Sequence, residues 1–406
     1  MQIEAVGAQG DGLAAGPVFA PLTLPGERVR LRLEGQRGEL LEVLEASPDR
    51  IEPVCPHFGA CGGCATQHWA AEPYLAWKVD QIRLALSRER LEADFAPTYA
   101  VPPASRRRLA LHARRGRGGA VIGFKGRRSW DLVEINVCPV SDPRLVAAFP
   151  ALRALAAPFL GHPKSAPTLH VTLTETGLDV DITGVERKSG GLSADTTMRA
   201  GEIAAKADFA RVSLAGDLIY QSRLPMVRFG RAMVALPAGG FLQAVAAAED
   251  EMARIALEAA KGASRIADLY CGAGAFTFRL AEIAPVHAAD ASAPAIAALK
   301  AAIATAPGLK AITAEARDLV RRPVLSSELK SVDVVLFDPP RAGALEQTGE
   351  IARSRTARVI AVSCNPTTFA RDARVLADAG FKLERVHSID QFLWSPHVEL
   401  VGVFSR

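Results

Sequence analysis

Apolar and polar positions alternate in short bursts over the first fifty residues. Ile3 to Val6, Gly16 to Phe19, Val29 to Leu33 and Glu39 to Leu44 each carry the period-two pattern of a strand. Gly7 to Gly12 and the Leu24-Pro25-Gly26-Glu27 turn separate them. Short strands at this spacing predict a small OB-like β-barrel. Between Tyr74 and Leu91 the period lengthens: Leu75, Val79, Ile82 and Leu86 fall on one face and predict a helix. Alternation returns in Leu109 to Ala113 and Leu169 to Leu173, which predicts a mostly antiparallel sheet domain up to about residue 235. Polar, Gly-rich Gly184 to Thr197 reads as a loop within it.

After residue 236 the pattern becomes one of apolar runs alternating with helical segments. Arg265 to Tyr270, Val286 to Asp290, Ala311 to Ala314, Val332 to Asp338 and Arg358 to Ser363 predict buried strands, with a helix over Ala295 to Ala304. Phe381 to Ser388 and Glu399 to Phe404 predict a closing antiparallel pair. The result is a multidomain α/β chain whose last part is a doubly wound sheet. The expected domains are 1–50, 51–235 and 236–406, with helix 74–91 packing on the last.

Composition narrows the class. The chain has 406 residues, 49% hydrophobic and 23% charged, which excludes long disorder and a disulfide-stapled mini-protein. No uninterrupted apolar run approaches the roughly 18 residues of a membrane span. Met1 to Gly16 carries Glu4 and Asp11 and lacks a cationic start, so no signal peptide and a cytoplasmic location are expected. A net charge of +4 says little, but its distribution says more. Between Val101 and Trp130 lie Arg106, Arg107, Arg108, Arg114, Arg115, Arg117, Lys125, Arg127 and Arg128, and no acid. Such a stretch suits a nucleic-acid backbone.

In an open α/β sheet, ligands bind beyond the carboxyl ends of the strands. Gly272 and Gly274 occupy the first strand-to-helix turn, where missing Cβ atoms let a ligand approach the backbone. Asp290, ending the second strand, can accept from ribose hydroxyls, and Asp318 suits an adenine amine. Thr277 stands where a third fingerprint glycine would be, which favours S-adenosylmethionine over NAD. Asp338-Pro339-Pro340-Arg341 and Ser363-Cys364-Asn365-Pro366 end adjacent strands and face one crevice. Cys364 is therefore a candidate nucleophile. Glu399, after Ser395-Pro396-His397-Val398, is a candidate general base. Cys55, Cys61, Cys64 and Cys138 offer four soft ligands for zinc or an iron–sulfur cluster. The long interval from Cys55 to Cys61, and the proline after Cys55 and after Cys138, tilt this toward iron–sulfur.

Together these motifs resemble the RNA uracil-C5 methyltransferase family over most of the chain. The nearest likeness is to its 23S ribosomal RNA branch, which carries a TRAM domain and an iron–sulfur cluster. Cys55-Pro-His-Phe-Gly-Ala-Cys-Gly-Gly-Cys-Ala-Thr-Gln-His68 matches the family's cluster loop. Val359-Ile-Ala-Val-Ser-Cys364-Asn-Pro and Asp390-x-Phe-x-x-Ser395-x-His397-Val-Glu399 match its two catalytic signatures. The resemblance implies a Rossmann-like class I methyltransferase domain behind a TRAM barrel at 1–50. It also implies a [4Fe-4S] cluster on Cys55, Cys61, Cys64 and Cys138, Cys364 as nucleophile and Glu399 as base. Gln243, Tyr270, Asp290, Asp318 and Asp338, with Gly272, Gly274 and Ala275 of the glycine turn, would line the methyl-donor and uracil pocket. Ala275 stands where the family commonly has Asn, Ala361 where it has Tyr, and Leu393 where it has Pro. The implied activity is S-adenosylmethionine-dependent formation of 5-methyluridine by a monomer, with 23S ribosomal RNA as substrate ahead of transfer RNA. An iron–sulfur redox protein is a more remote alternative.

Overall fold

The computed structural model describes residues 1–186 and 192–406. At the amino terminus, strands Ile3–Val6, Asp11–Ala14, Val18–Pro21, Arg28–Glu34 and Arg37–Glu45 form one sheet in the order first, second, third, fifth, fourth. Gln2 bridges Arg28, and the Val29 amide donates to the Met1 carbonyl at 2.8 Å, so the sheet closes on itself around Ile3, Ala20 and Val29. Asp11–Ala14 lies partly inside the glycine-rich segment that the sequence pattern treats as a separator. Gly12 is required there by packing, since a Cβ would meet Thr23 Oγ1 at 2.0 Å. Asp11 itself is buried and reached by Arg127 at 2.7 Å and Arg128 at 2.8 Å.

Among the described residues, a second sheet runs in the order Leu132–Glu134, Gly119–Lys125, Arg108–Gly116, Thr168–Thr174, Gly177–Thr183, Arg211–Leu214 and Asp217–Gln221. One neighbouring pair, Gly177–Thr183 with Arg211–Leu214, is parallel, and the helix Ala194–Lys206 spans that crossover. This helix corrects the expected loop over Gly184 to Thr197. Ser193 caps its first turn, its hydroxyl accepting from the Thr196 amide at 3.2 Å. Residues 187–191 of that expected loop lie outside the described residues. Apolar Leu152, Leu155, Phe159, Ala200 and Ala204 pack against Leu111, Ile122, Leu169 and Val180 of the sheet.

The third sheet positions the chemistry. Its strands are β1 (Ile266–Leu269), β2 (Val286–Asp290), β3 (Ile312–Ala316), β4 (Val334–Phe337), β5 (Arg358–Ser363), β6 (Lys382–Asp390) and β7 (Glu399–Ser405). They run in the order β3-β2-β1-β4-β5-β7-β6, with β7 antiparallel to both neighbours. The order reverses between β1 and β4, which opens a crevice at their carboxyl ends. β4 is fully buried as Val-Val-Leu-Phe, as expected of a strand covered on both faces.

Two earlier segments are built into this unit. Strands Asp94–Phe95 and Tyr99–Ala100 pair in parallel with β6. The helix Ala71–Arg88 buries Ile82 and Leu86 against Leu376, Phe381 and Leu383. The hairpin Met226–Phe229 and Ala232–Ala235 packs Val227, Phe229 and Val234 on Phe278, Ile296 and Leu299. Among the described residues no helix is long and apolar enough to cross a membrane.

Helix Ala71–Arg88 also carries a buried ion pair. Lys78 and Asp390 are both fully buried and bonded to each other, and Lys78 Nζ donates to the Phe392 carbonyl at 3.1 Å. Tyr74 donates to Asp390 Oδ2 at 2.7 Å and accepts from the Trp394 amide at 2.8 Å. The pair thus clamps the turn between β6 and β7. Asp390→Ala leaves the Lys78 ammonium unpaired in the interior and is expected to cost about 3–5 kcal/mol in urea unfolding. A loss below about 1 kcal/mol would contradict this role.

Candidate active site

Strand register fixes what meets in the crevice. Leu269 of β1 pairs with Ala289 of β2 and Phe337 of β4, so Tyr270, Asp290 and Asp338 emerge at one level. Phe337 pairs with Ala361, which carries Ser363 and Cys364 further out along the same edge. Ser363 pairs with Leu400 of antiparallel β7, and Cys364 and Glu399 are the residues next beyond that last pair.

The first turn is a cradle. Tyr270 takes φ of 61°, which is costly for a residue with a side chain and marks a functional turn. Gly272 (φ 54°) has no described atom within 4 Å of the place a Cβ would occupy, so open space faces the backbone there. Gly274 (φ 100°) is glycine for another reason: a Cβ would run into the Phe278 ring at 2.7 Å. Asp290 accepts from the Gly272 amide at 2.9 Å and the Ser292 amide at 2.7 Å, tying the first two turns together. The Tyr270 hydroxyl is buried without a partner among the described residues. The Ala275 carbonyl accepts from Arg279 at 2.6 Å. Asp318 accepts from the amides of Val320 and Arg321 at 3.1 and 3.3 Å, and its charge, like that of Asp290, acts on the Tyr270 hydroxyl.

Acidic groups crowd the crevice. Burial pushes Asp268 up to about 7, opposed by the Thr277 hydroxyl that donates to it. Burial also raises Asp338; the Gln243 amide opposes this, while the charges of Glu249 and Asp290 add to it. Glu399 is raised by burial and by the Asp338 charge, against the Gln391 amide and the Arg341 guanidinium. At Cys364, burial and the Glu399 charge push the thiol up to about 11, again against Arg341. Arg341 is placed by its neighbours. Its carbonyl accepts from Asn365 Nδ2 at 3.0 Å and Thr368 Oγ1 at 3.2 Å, and its guanidinium donates to His397 Nδ1 at 2.8 Å. Burial, and then the Arg341 charge, hold the His397 ring below its ordinary pKa.

Cys364 and Glu399 lie close enough for the carboxylate charge to act on the thiol, and Gly272 leaves open space at the first turn. A model of the tRNA (uracil-5-)-methyltransferase family matches residues 200–406. An uncharacterized RNA methyltransferase of Caulobacter vibrioides is 68% identical across the whole chain and 99% of its own length. The chain belongs to the tRNA (uracil-5-)-methyltransferase family. The 23S rRNA (uracil(1939)-C(5))-methyltransferase RlmD of Alkalilimnicola ehrlichii is 33% identical over 96% of this chain and 92% of that protein. In fold, the chain is similar to the Pyrococcus abyssi tRNA (uracil-54, C5)-methyltransferase crystallised with S-adenosyl-L-homocysteine. The TM-score is 0.74 at 22% identity, covering 99% of this chain and 98% of that one.

Several features of this enzyme escape the sequence pattern. Gln391 is buried between Gln243 and Glu399, donating to Oε1 of the first at 2.9 Å and Oε2 of the second at 2.7 Å. An amide has no composition or charge signal, and Gln243 lies 148 residues away. Several residues of the basic stretch bond within the chain, while Arg114, Arg115, Arg117 and Arg128 remain exposed. Arg107 donates to the Gln243 carbonyl and to Glu249, and Arg108 donates to the carbonyls of Leu242 and Gly240. They fix the segment that carries Gln243. Arg115 bonds the Leu160 carbonyl, and Arg127 and Arg128 bond Asp11.

Cys55, Cys61, Cys64 and Cys138 are half-buried free thiols around one open cavity of about 600 Å³. Phe392, Leu393, Ser395, Pro396 and His397, from the turn between β6 and β7, also line it. Ser141 Oγ donates to Cys138 Sγ at 3.1 Å, and the Gly63 amide to Cys61 Sγ at 3.4 Å. Among the described residues, no three His, Cys, Asp or Glu side chains close on a spot that one metal ion could fill.

Arg341→Met is expected to raise the Cys364 pKa further. Alkylation of Cys364 by iodoacetamide at pH 8, followed by peptide mass spectrometry, should slow about threefold to tenfold, since one pKa unit is tenfold in thiolate. A rate equal to or above wild type contradicts the placement of Arg341.

Proposed function

We propose that the enzyme methylates C5 of uridine in 23S ribosomal RNA, using S-adenosylmethionine and a covalent Cys364–uracil intermediate. The observation that carries this is the last pair of the β5–β7 ladder, Ser363 with Leu400, which leaves Cys364 and Glu399 as the next residues of the two strands, with the Glu399 charge felt at the Cys364 thiol. The donor fits the crevice: Tyr270, Gly272 and Asp290 form an open cradle, and the acids around Asp338 favour a sulfonium cation over an anionic ligand. When bound, the donor supplies an electrophilic methyl group.

Uracil C5 is weakly nucleophilic, so the chain must activate it. Cys364 Sγ adds to C6 as the thiolate, and the C5=C6 π pair moves toward C5 and O4. C5 then takes the methyl group as the methyl–sulfur bond of the donor breaks, its pair staying on that sulfur and S-adenosylhomocysteine leaving. Glu399 removes the C5 proton; that electron pair restores C5=C6 and expels Cys364 Sγ. Both raised groups act in their unprotonated forms, so the rate should climb with pH from neutral into the alkaline range. Stacking hides C5 and C6 in a duplex, so the uridine must lie in a loop or be flipped out.

The likeness to RlmD, 33% over nearly the whole chain, supports ribosomal RNA. The barrel at the amino terminus is read as a TRAM module that adds RNA contacts. The four thiols line one cavity, and four soft ligands with the long Cys55–Cys61 interval are read as the ligand set of an iron–sulfur cluster. Cys55, Cys61, Cys64 and Cys138 would hold it, and its part is to brace the loop beside the active site.

Two experiments test these readings. With labelled donor and [5-³H]uridine-containing transcripts, methyl incorporation into 23S ribosomal RNA should equal tritium release, and Cys364→Ser should abolish both. Methylation of transfer RNA alone, or methyl transfer without tritium release, overturns the assignment. Protein purified without oxygen should carry iron and acid-labile sulfide in equal amounts, reduced in Cys64→Ser; zinc without sulfide contradicts the cluster.

A further inference from the structure

We infer that Gln391 is the positioning residue for the catalytic base, an inference that rests on the uridine methylation reading and extends it. Gln391 is 1% exposed, and its Nε2 carries two hydrogens. One goes to Glu399 Oε2 at 2.7 Å and the other to Gln243 Oε1 at 2.9 Å. Gln243 in turn donates from Nε2 to Asp338 Oδ2 at 3.0 Å. Two amides therefore join the two carboxylates of the crevice in one directed chain. The direction is set from the Asp338 end: a carboxylate takes the Gln243 donors, which leaves the Gln243 oxygen to accept from Gln391. Gln391 can then offer Glu399 only N–H.

That direction has a chemical consequence. A donor-only neighbour favours Glu399 as the carboxylate that can take a proton. The arrangement carries a cost, because Gln391 Oε1 is left buried without a partner among the described residues. It persists because the backbone on both sides is clamped: Asp390 by Lys78 and Tyr74, and Phe392 and Trp394 by the same two side chains. The step at issue is elimination. The C5–H bond breaks, its proton goes to Glu399, its electrons form C5=C6, and the C6–Sγ bond to Cys364 opens. Gln391 touches no reacting atom and acts through Glu399.

Gln391→Met keeps the length and removes both donors. Turnover should fall about tenfold to a hundredfold, the worth of one hydrogen bond to a charged group. KM for RNA and for donor should stay within about twofold, because ground-state binding is untouched. The acid limb of the kcat–pH profile should move to higher pH. On ordinary uridine RNA a denaturation-resistant protein–RNA adduct carrying labelled methyl should accumulate, because its formation precedes the slowed step. Gln391→Glu, which sets a like charge beside Glu399, should move the limb further and serves as the readout if the Met variant does not fold. An unmoved limb with wild-type turnover, or an equal loss of adduct formation on 5-fluorouridine RNA, overturns this inference alone. If wild-type protein neither methylates RNA nor forms that adduct, the methylation reading falls and takes this inference with it.

Discussion

A single reversed strand governs the active crevice. The carboxyl end of β5 and the amino end of β7 coincide only because β7 runs antiparallel between β5 and β6. A parallel strand in that slot would begin at the opposite edge of the sheet and carry Glu399 away from Cys364. The β5–β7 pairing runs from Ser363–Leu400 to Arg358–Ser405, and Glu399 is held from the other side by its pairing with Ile389 of β6. The turn entering β7 is pinned independently, by the buried Lys78–Asp390 pair and by the Ala65 and Thr66 amides, which donate to the Trp394 carbonyl at 2.7 and 3.2 Å. The cysteine loop therefore touches the catalytic turn directly, whatever the four thiols hold.

Electrostatics gives the crevice its chemical character. Asp268, Asp290, Asp338 and Glu399 share a space where charge is poorly solvated, and three of them are raised in consequence. Arg341 is the counterweight, close enough to oppose the shifts of both Cys364 and Glu399. The site is thus suited to a cationic methyl donor while the bulk of the chain is slightly basic. Arg107 and Arg108 contribute by holding the Gln243 segment from the central sheet, so the two larger domains meet at the site.

What could be read from the sequence follows physical lines. The apolar runs Val286 to Asp290 and Arg358 to Ser363 coincide with β2 and β5 because buried parallel strands leave few choices of residue. Strand-end position is also what places the Asp338 and Cys364 segments at the ends of the neighbouring strands β4 and β5. Asp11–Ala14 was masked because its Gly12 is chosen for close packing, which looks like a turn in a bare sequence. In the basic stretch, charge shows in the sequence, but the carbonyls and the distant Glu249 and Asp11 that partner Arg107, Arg108 and Arg127 do not. Gln391 is invisible altogether, since its role exists only through partners brought together by folding.

The central claim is that Cys364 sulfur bonds to a uracil ring in RNA. The most direct test is incubation with S-adenosylmethionine and 23S ribosomal RNA containing 5-fluorouridine, whose C5 fluorine cannot leave as a proton. Digestion and mass spectrometry should then find the modified nucleotide on the peptide holding Cys364. A trapped nucleotide on another residue, or methylated RNA with no protein-bound nucleotide at all, would contradict the account.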